Sequence, residues 1–130
     1  MKTLKEEVRS AITGMEFHED EYGFDVEYNG LNYYLFFIDK YPDLLNVGMP
    51  MLLPEDVHVT ESIVQSAEMI ANGNGFPEMN VSLHDGTLGV AMAFSCELFE
   101  HSLSKEKVIE CLKIFDSGYQ FLMLSISVLV

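Results

Sequence analysis

The segment from Leu103 to Val130 constrains the fold more than any other. It opens near Ser104, whose hydroxyl suits a helix N-cap, and then spaces Val108, Leu112, Phe115, Tyr119, Leu122 and Ile126 at steps of four, three, four, three and four. Those steps put six apolar side chains along one side of a helix. The segment ends in QFLMLSISVLV, without a single charge, in a chain of formal net charge −14. Hydrocarbon on so acidic a chain needs a cover, either the chain's own sheet or a second molecule. A helix over 105–125 would be about 32 Å long. A strand is the competing reading for the tail, because Leu124, Ile126 and Val128 alternate with Ser125 and Ser127; the longer seam favours the helix. Gly118 weakens that helix by roughly 1 kcal/mol relative to Ala.

The charge also excludes functions. Acidic side chains number 21 and basic ones 7, so the chain repels phosphate backbones and anionic lipid. No nucleic-acid or membrane partner is expected, and no stretch approaches the ~20 apolar residues of a membrane helix. The charged start, MKTLKEEVRS, lacks the apolar core of an export signal, which points to the cytoplasm. There Cys96 and Cys111 would stay reduced, as small buried apolar groups. With 130 residues, 48% of them apolar, the chain suits a single domain, 1–130.

Before the last helix the pattern alternates between elements. Leu4, Val8, Ala11 and Ile12 mark a one-sided helix with Thr3 as its cap and Gly14 as its end. Glu16 to Tyr22 reads as an acidic turn. Phe24, Val26 and Tyr28 alternate with Asp25 and Glu27, as in a strand with one wet face. Asn29-Gly30 is a type I′ hairpin signal leading into the apolar LNYYLFFI. A third strand falls within Leu44 to Leu53; Pro50 places it at a sheet edge or breaks it there, and Gly48 suggests a bulge.

Pro54-Glu55-Asp56 begins a second helix, capped by Asp56 or Thr60. Its stripe is Val59, Ile63, Ala67 and Ile70, widened by Val64 and Ala71, and Asn72-Gly73-Asn74-Gly75 stops it. Met79, Val81 and Leu83 then turn through His84-Asp85-Gly86-Thr87 into Leu88, Val90, Met92 and Phe94. The second hairpin therefore has a large-residue face and a small one, Gly89, Ala91 and Ala93. The small face is expected to lie against the protein's own helix, a docking groove being the alternative. The expected fold is α+β, in the order α-β-β-β-α-β-β-α.

This order, with the run NGNGFPEMNVSLHDGTLGVAMAFSCELFEHSLSKEKVIECLKIFDSGYQFLM, resembles the YbjN-type family, bacterial proteins proposed as sensory transduction regulators. The likeness is carried by Asn72 at the end of the second helix and the hairpin around Asp85-Gly86. It continues in the apolar return strand and in the Ser-capped final helix with Phe115 and Tyr119. It spans most of the chain by topology and its C-terminal part by motif. The resemblance implies the fold of type III secretion chaperones, a twisted antiparallel sheet flanked by helices and often dimeric. It also implies a function in regulation or in binding protein segments. The first hairpin here is more acidic than that pattern, and the apolar C-terminus has no counterpart in it.

Catalytic chemistry finds little support. His18, His58, His84 and His101 are scattered, where zinc needs three or four converging ligands. The acids Glu16, Glu19, Asp20 and Glu21 lack the spacing of a calcium loop and read as a solvated turn. Asp25 and Glu27 are neighbours on a wet strand face, where neither would gain the raised pKa of a general acid. Ser95, Ser102 and Ser104 have no GxSxG setting, and the Gly-rich run follows a helix, whereas a phosphate loop precedes one. No cofactor and no metal are expected. The chain reads as a non-enzymatic, homodimeric protein-binding module, with a small enzyme or ligand-binding protein as the alternative. The expected partner or dimer surface is Val90, Met92 and Phe94 on the return strand, with Phe115, Tyr119, Leu122 and Ile126 on the last helix.

Overall fold

A computed structural model describes residues 3–51, 58–84, 87–95 and 103–129. Its elements are α1 (Leu4–Ala11), β1 (Glu16–Glu19), β2 (Gly23–Tyr28), β3 (Leu31–Ile38), β4 (Tyr41–Met51), α2 (Glu61–Asn72), β5 (Met79–His84), β6 (Thr87–Ser95) and α3 (Lys105–Leu129). The six strands form one antiparallel sheet in the order β1-β2-β3-β4-β6-β5. The α+β class holds, with one strand more than expected. Glu16–Glu19 extends the sheet as β1, beyond the turn its acidity suggested. It is short, charged and at an edge, where those features discourage further pairing.

Hydrophobic alternation decides which face the helices cover. Phe24, Leu35, Val47, Met92 and Met79 are neighbours in successive strands, and all are buried. Each such side chain contributes about 1.5–3 kcal/mol when taken from water. Leu4, Val8 and Ile12 bring the α1 segment onto this layer. Thr3 caps that helix through Oγ1, which accepts from the Glu6 amide at 3.2 Å. Lys5 donates to the Asp20 and Glu21 carbonyls, while Arg9 grips Glu19 with two bonds of 2.8 and 2.6 Å. The α1 cations are thereby committed to the β1–β2 turn.

β4 is central, not an edge strand, since it lies between β3 and β6. Pro50 is tolerated because the β3 ladder ends at Gly48, leaving Pro50 a neighbour only in β6. The irregularity in the β3–β4 pairing falls between Phe36 and Ile38, away from Gly48. Gly48 serves another purpose: a Cβ there would stand 3.1 Å from the Phe36 ring. The Asn29-Gly30 turn has φ values of 53° and 78°, as a type I′ hairpin requires.

α2 is capped by Thr60, whose hydroxyl accepts from the Ile63 amide. Its buried stripe is Val64, Ala67 and Ala71, so the helix is rotated from the expected register and Ile70 is exposed. After it, Gly75 takes the left-handed conformation at φ +81°, while Gly73 stays right-handed. The expected start at Pro54-Glu55-Asp56, the turn at Asp85-Gly86, Cys96 and His101 lie outside the described residues.

α3 runs as one helix of 25 residues, about 37 Å. The helix reading of the tail is correct and extends to Leu129. Phe115 meets Tyr33 edge-on, and the Tyr33 hydroxyl donates to Asp116 at 2.7 Å. One turn on, a Cβ at Gly118 would fall 2.5 Å from the Met92 methyl and 2.9 Å from that of Met79. The glycine that weakens the helix lets it approach the sheet closely. Among the described residues no helix is long and apolar enough to cross a membrane.

Candidate functional site

The expected partner surface lies mostly inside the molecule. Val90, Met92, Phe94, Phe115, Leu122 and Ile126 are at most 2% exposed, all within the core. Tyr119 is half-buried, and its hydroxyl donates to the Pro50 carbonyl at 3.3 Å. The periodicity located the seam correctly, but the sheet already covers it. None of the six buried side chains is available to a partner in this fold.

Among the described residues, the face of the sheet without helices is the opposite one. The large residues of β6 pack beneath α3, so its small residues point away from the helices, contrary to the expectation for them. Strand register carries a row of side chains across this open face: His18, Asp25, Tyr34, Gly48, Ala91 and Asn80. A neighbouring row holds Glu16, Glu27 and Asn32 at one end and Pro50, Gly89 and Ser82 at the other.

The face therefore changes character from edge to edge. β1 and β2 contribute exposed acids. β3 raises a ridge of Tyr34 and Phe36, stacked at 5.5 Å between ring centroids and 16° between planes. β4 and β6 lay down a floor of Gly48, Pro50, Gly89 and Ala91, and β5 closes it with Asn80 and Ser82. Between ridge and far edge lies a trough of about 390 Å³. A second depression of about 410 Å³ lies on the ridge's other flank, beside Tyr22 and Ile38.

Local bonds hold the ridge upright. Asp20 accepts from the Tyr22 and Gly23 amides, both at 2.8 Å, and from the Tyr34 hydroxyl at 2.9 Å. These donors, Tyr34 first, lower the Asp20 pKa. Burial, then the bond to Asp20, pushes Tyr34 up to about 12. Among the described residues Tyr34 is the one ionisable residue lining the trough, and it stays protonated at neutral pH. Glu19 and Asp20, considered above for a cation, are thus engaged by Arg9 and by backbone amides. Among the described residues no group of three His, Cys, Asp or Glu is placed to hold a metal ion.

Side chains of α2 occupy part of the β5 edge. The Asn72 side chain accepts from the Met79 amide at 2.8 Å and donates to the Met79 carbonyl at 3.1 Å. Glu68 accepts from the Val81 amide at 2.7 Å. Two side chains of α2 occupy groups that a seventh strand would need. The small face was visible in the sequence, but its exposure depends on where α3 comes to rest.

No protein-family model matches the chain, and no curated protein matches it. Two solved structures are similar. One is an uncharacterised protein from Methanothermobacter thermautotrophicus, with TM-score 0.58 and 12% identity over 92% of this chain and 94% of that one. The other is YbjN from E. coli, titled a proposed transcription regulator, with TM-score 0.55 and 14% identity over 93% of this chain and 89% of that one. The chain has the YbjN fold, as the motif around Asn72 and the final helix implied.

Proposed function

We propose that this chain, built on the YbjN fold, is a non-enzymatic protein-binding module, regulatory or chaperone-like, acting as a cytoplasmic homodimer. The observation that carries the reading is the open sheet face, with a stacked aromatic ridge beside a floor of small residues. In layered α+β proteins an apolar sheet face is normally covered. Here the described helices all lie on the other side. The trough has the volume of a small-ligand site, but it is shallow and its lining holds few polar groups to fix a ligand's orientation.

Dimerisation is assigned to a different surface, the outward side of α3. From Ser117 onward that helix has no charged side chain. Leu124 is 67% exposed and Val128 85%. Two copies of a chain at −14 meet with least repulsion where neither carries charge. Light scattering on a sizing column should give twice the 14.7 kDa chain mass for the wild type, and the single mass for Val128→Glu. A wild-type monomer at micromolar concentration removes the homodimer from this reading.

A further inference from the structure

We infer that the open face receives an amphipathic helix of a second protein, its apolar side in the trough and a row of Lys or Arg along the flank facing β1 and β2. This rests on the reading of that face as a protein-binding surface and adds the chemistry of the partner.

The dimensions favour a helix. The trough is bounded by the Tyr34–Phe36 ridge on β3 and by Asn80 and Ser82 on β5, with β4 and β6 between them. Three strand spacings come to about 14 Å. One α-helix with its side chains is about 10–12 Å across. Glycines and alanines on the floor allow a bulky apolar side chain to descend between ridge and far edge. An added strand is the other common mode of peptide capture, and the β5 edge that would receive it is occupied in part by Asn72 and Glu68.

Charge sets the sign of the flank. Glu16 and Glu27 stand directly opposite each other on β1 and β2, and His18 pairs across from Asp25. Like charges in that arrangement destabilise a sheet. Lys5 and Arg9 are paired with Glu19, so neither of these cations is shown neutralising the open-face acids. A helix lying in the trough runs beside this row, within reach of long basic side chains. A second copy of the chain would bring an equally acidic surface instead.

The test uses the full-length protein and a pair of 18-residue helical peptides. One has a Leu stripe flanked by Lys; in the other every Lys is Glu. Amide shifts are followed by NMR, with Gly48, Gly89 and Ala91 reporting the trough. The Lys peptide should shift these three amides and bind at least tenfold more tightly than the Glu peptide. Asp25→Lys combined with Glu27→Lys, both at exposed positions, should reverse that preference. If both peptides shift the same amides with equal affinity, the face binds helices but the basic flank is wrong. Shifts appearing on concentration of the protein alone identify a second copy as the occupant and overturn the inference. If neither peptide moves these amides, both the inference and the assignment of the open face fall.

Discussion

Gly23 and Gly118 both lack a Cβ where one would be crowded, yet substitution should affect them differently. At Gly23 an added Cβ would lie 1.9 Å from the Leu35 carbonyl oxygen and 2.8 Å from the Phe36 Cα. These are backbone atoms of the neighbouring strand and cannot turn aside. Gly23→Ala should therefore force β2 from β3 and cost at least about 2 kcal/mol. At Gly118 the crowding atoms are the methyl ends of Met92 and Met79, which can rotate away. Ala also returns about 1 kcal/mol of helix propensity. Gly118→Ala should stay within about 1 kcal/mol of the wild type. Urea unfolding of the two variants decides the matter; equal losses would show that the distinction between backbone and side-chain contacts is mistaken.

The same logic extends to elements, where edges matter more than interiors. β5 is an outer strand whose Met79 and Val81 amides are taken by side chains from α2. Asn72→Asp keeps the acceptor for the Met79 amide but sets a carboxylate against the Met79 carbonyl, where the amide had donated. A loss of about 1–2 kcal/mol is expected. Faster hydrogen exchange at Met79 and Val81 should accompany it, and unchanged exchange there would mean that Asn72 does not hold the edge. Local pattern announced some elements and concealed others. α3 was legible because its seam repeats over six residues, and the Asn29-Gly30 hairpin because only a few residue types accept two positive φ angles. β1 was concealed because four residues with a single half-buried Phe17 make no periodic signal. The central place of β4 was concealed because pairing with β6 joins residues far apart in sequence. The open face was half legible: alternation separated small from large residues on β6, while the choice of the covered face belongs to packing.

Across the whole molecule, charge and burial are kept apart, and this sets how stability responds to pH. The apolar layer between sheet and helices holds groups whose protonated forms it favours. Burial pushes the Cys111 thiol up to about 12 from its ordinary 9. Tyr33 and Tyr119 are also raised by burial, Tyr33 further by its bond to Asp116. Tyr34 reaches about 12 from 10 on the open face. A raised folded-state pKa means that the unfolded chain releases its proton first as pH increases. The contribution of each group is thus complete below its ordinary value of 9 or 10 and is lost as pH rises through its folded-state value, which is about 12 for Cys111 and Tyr34. Every proton released also adds to a net charge already at −14. The urea midpoint should hold steady up to about pH 9 and then fall continuously toward pH 12. Tyr33→Phe should be less stable at neutral pH, through the lost bond to Asp116, and should lose less on going alkaline. Identical slopes for variant and wild type would show that the Tyr33 proton is not coupled to folding.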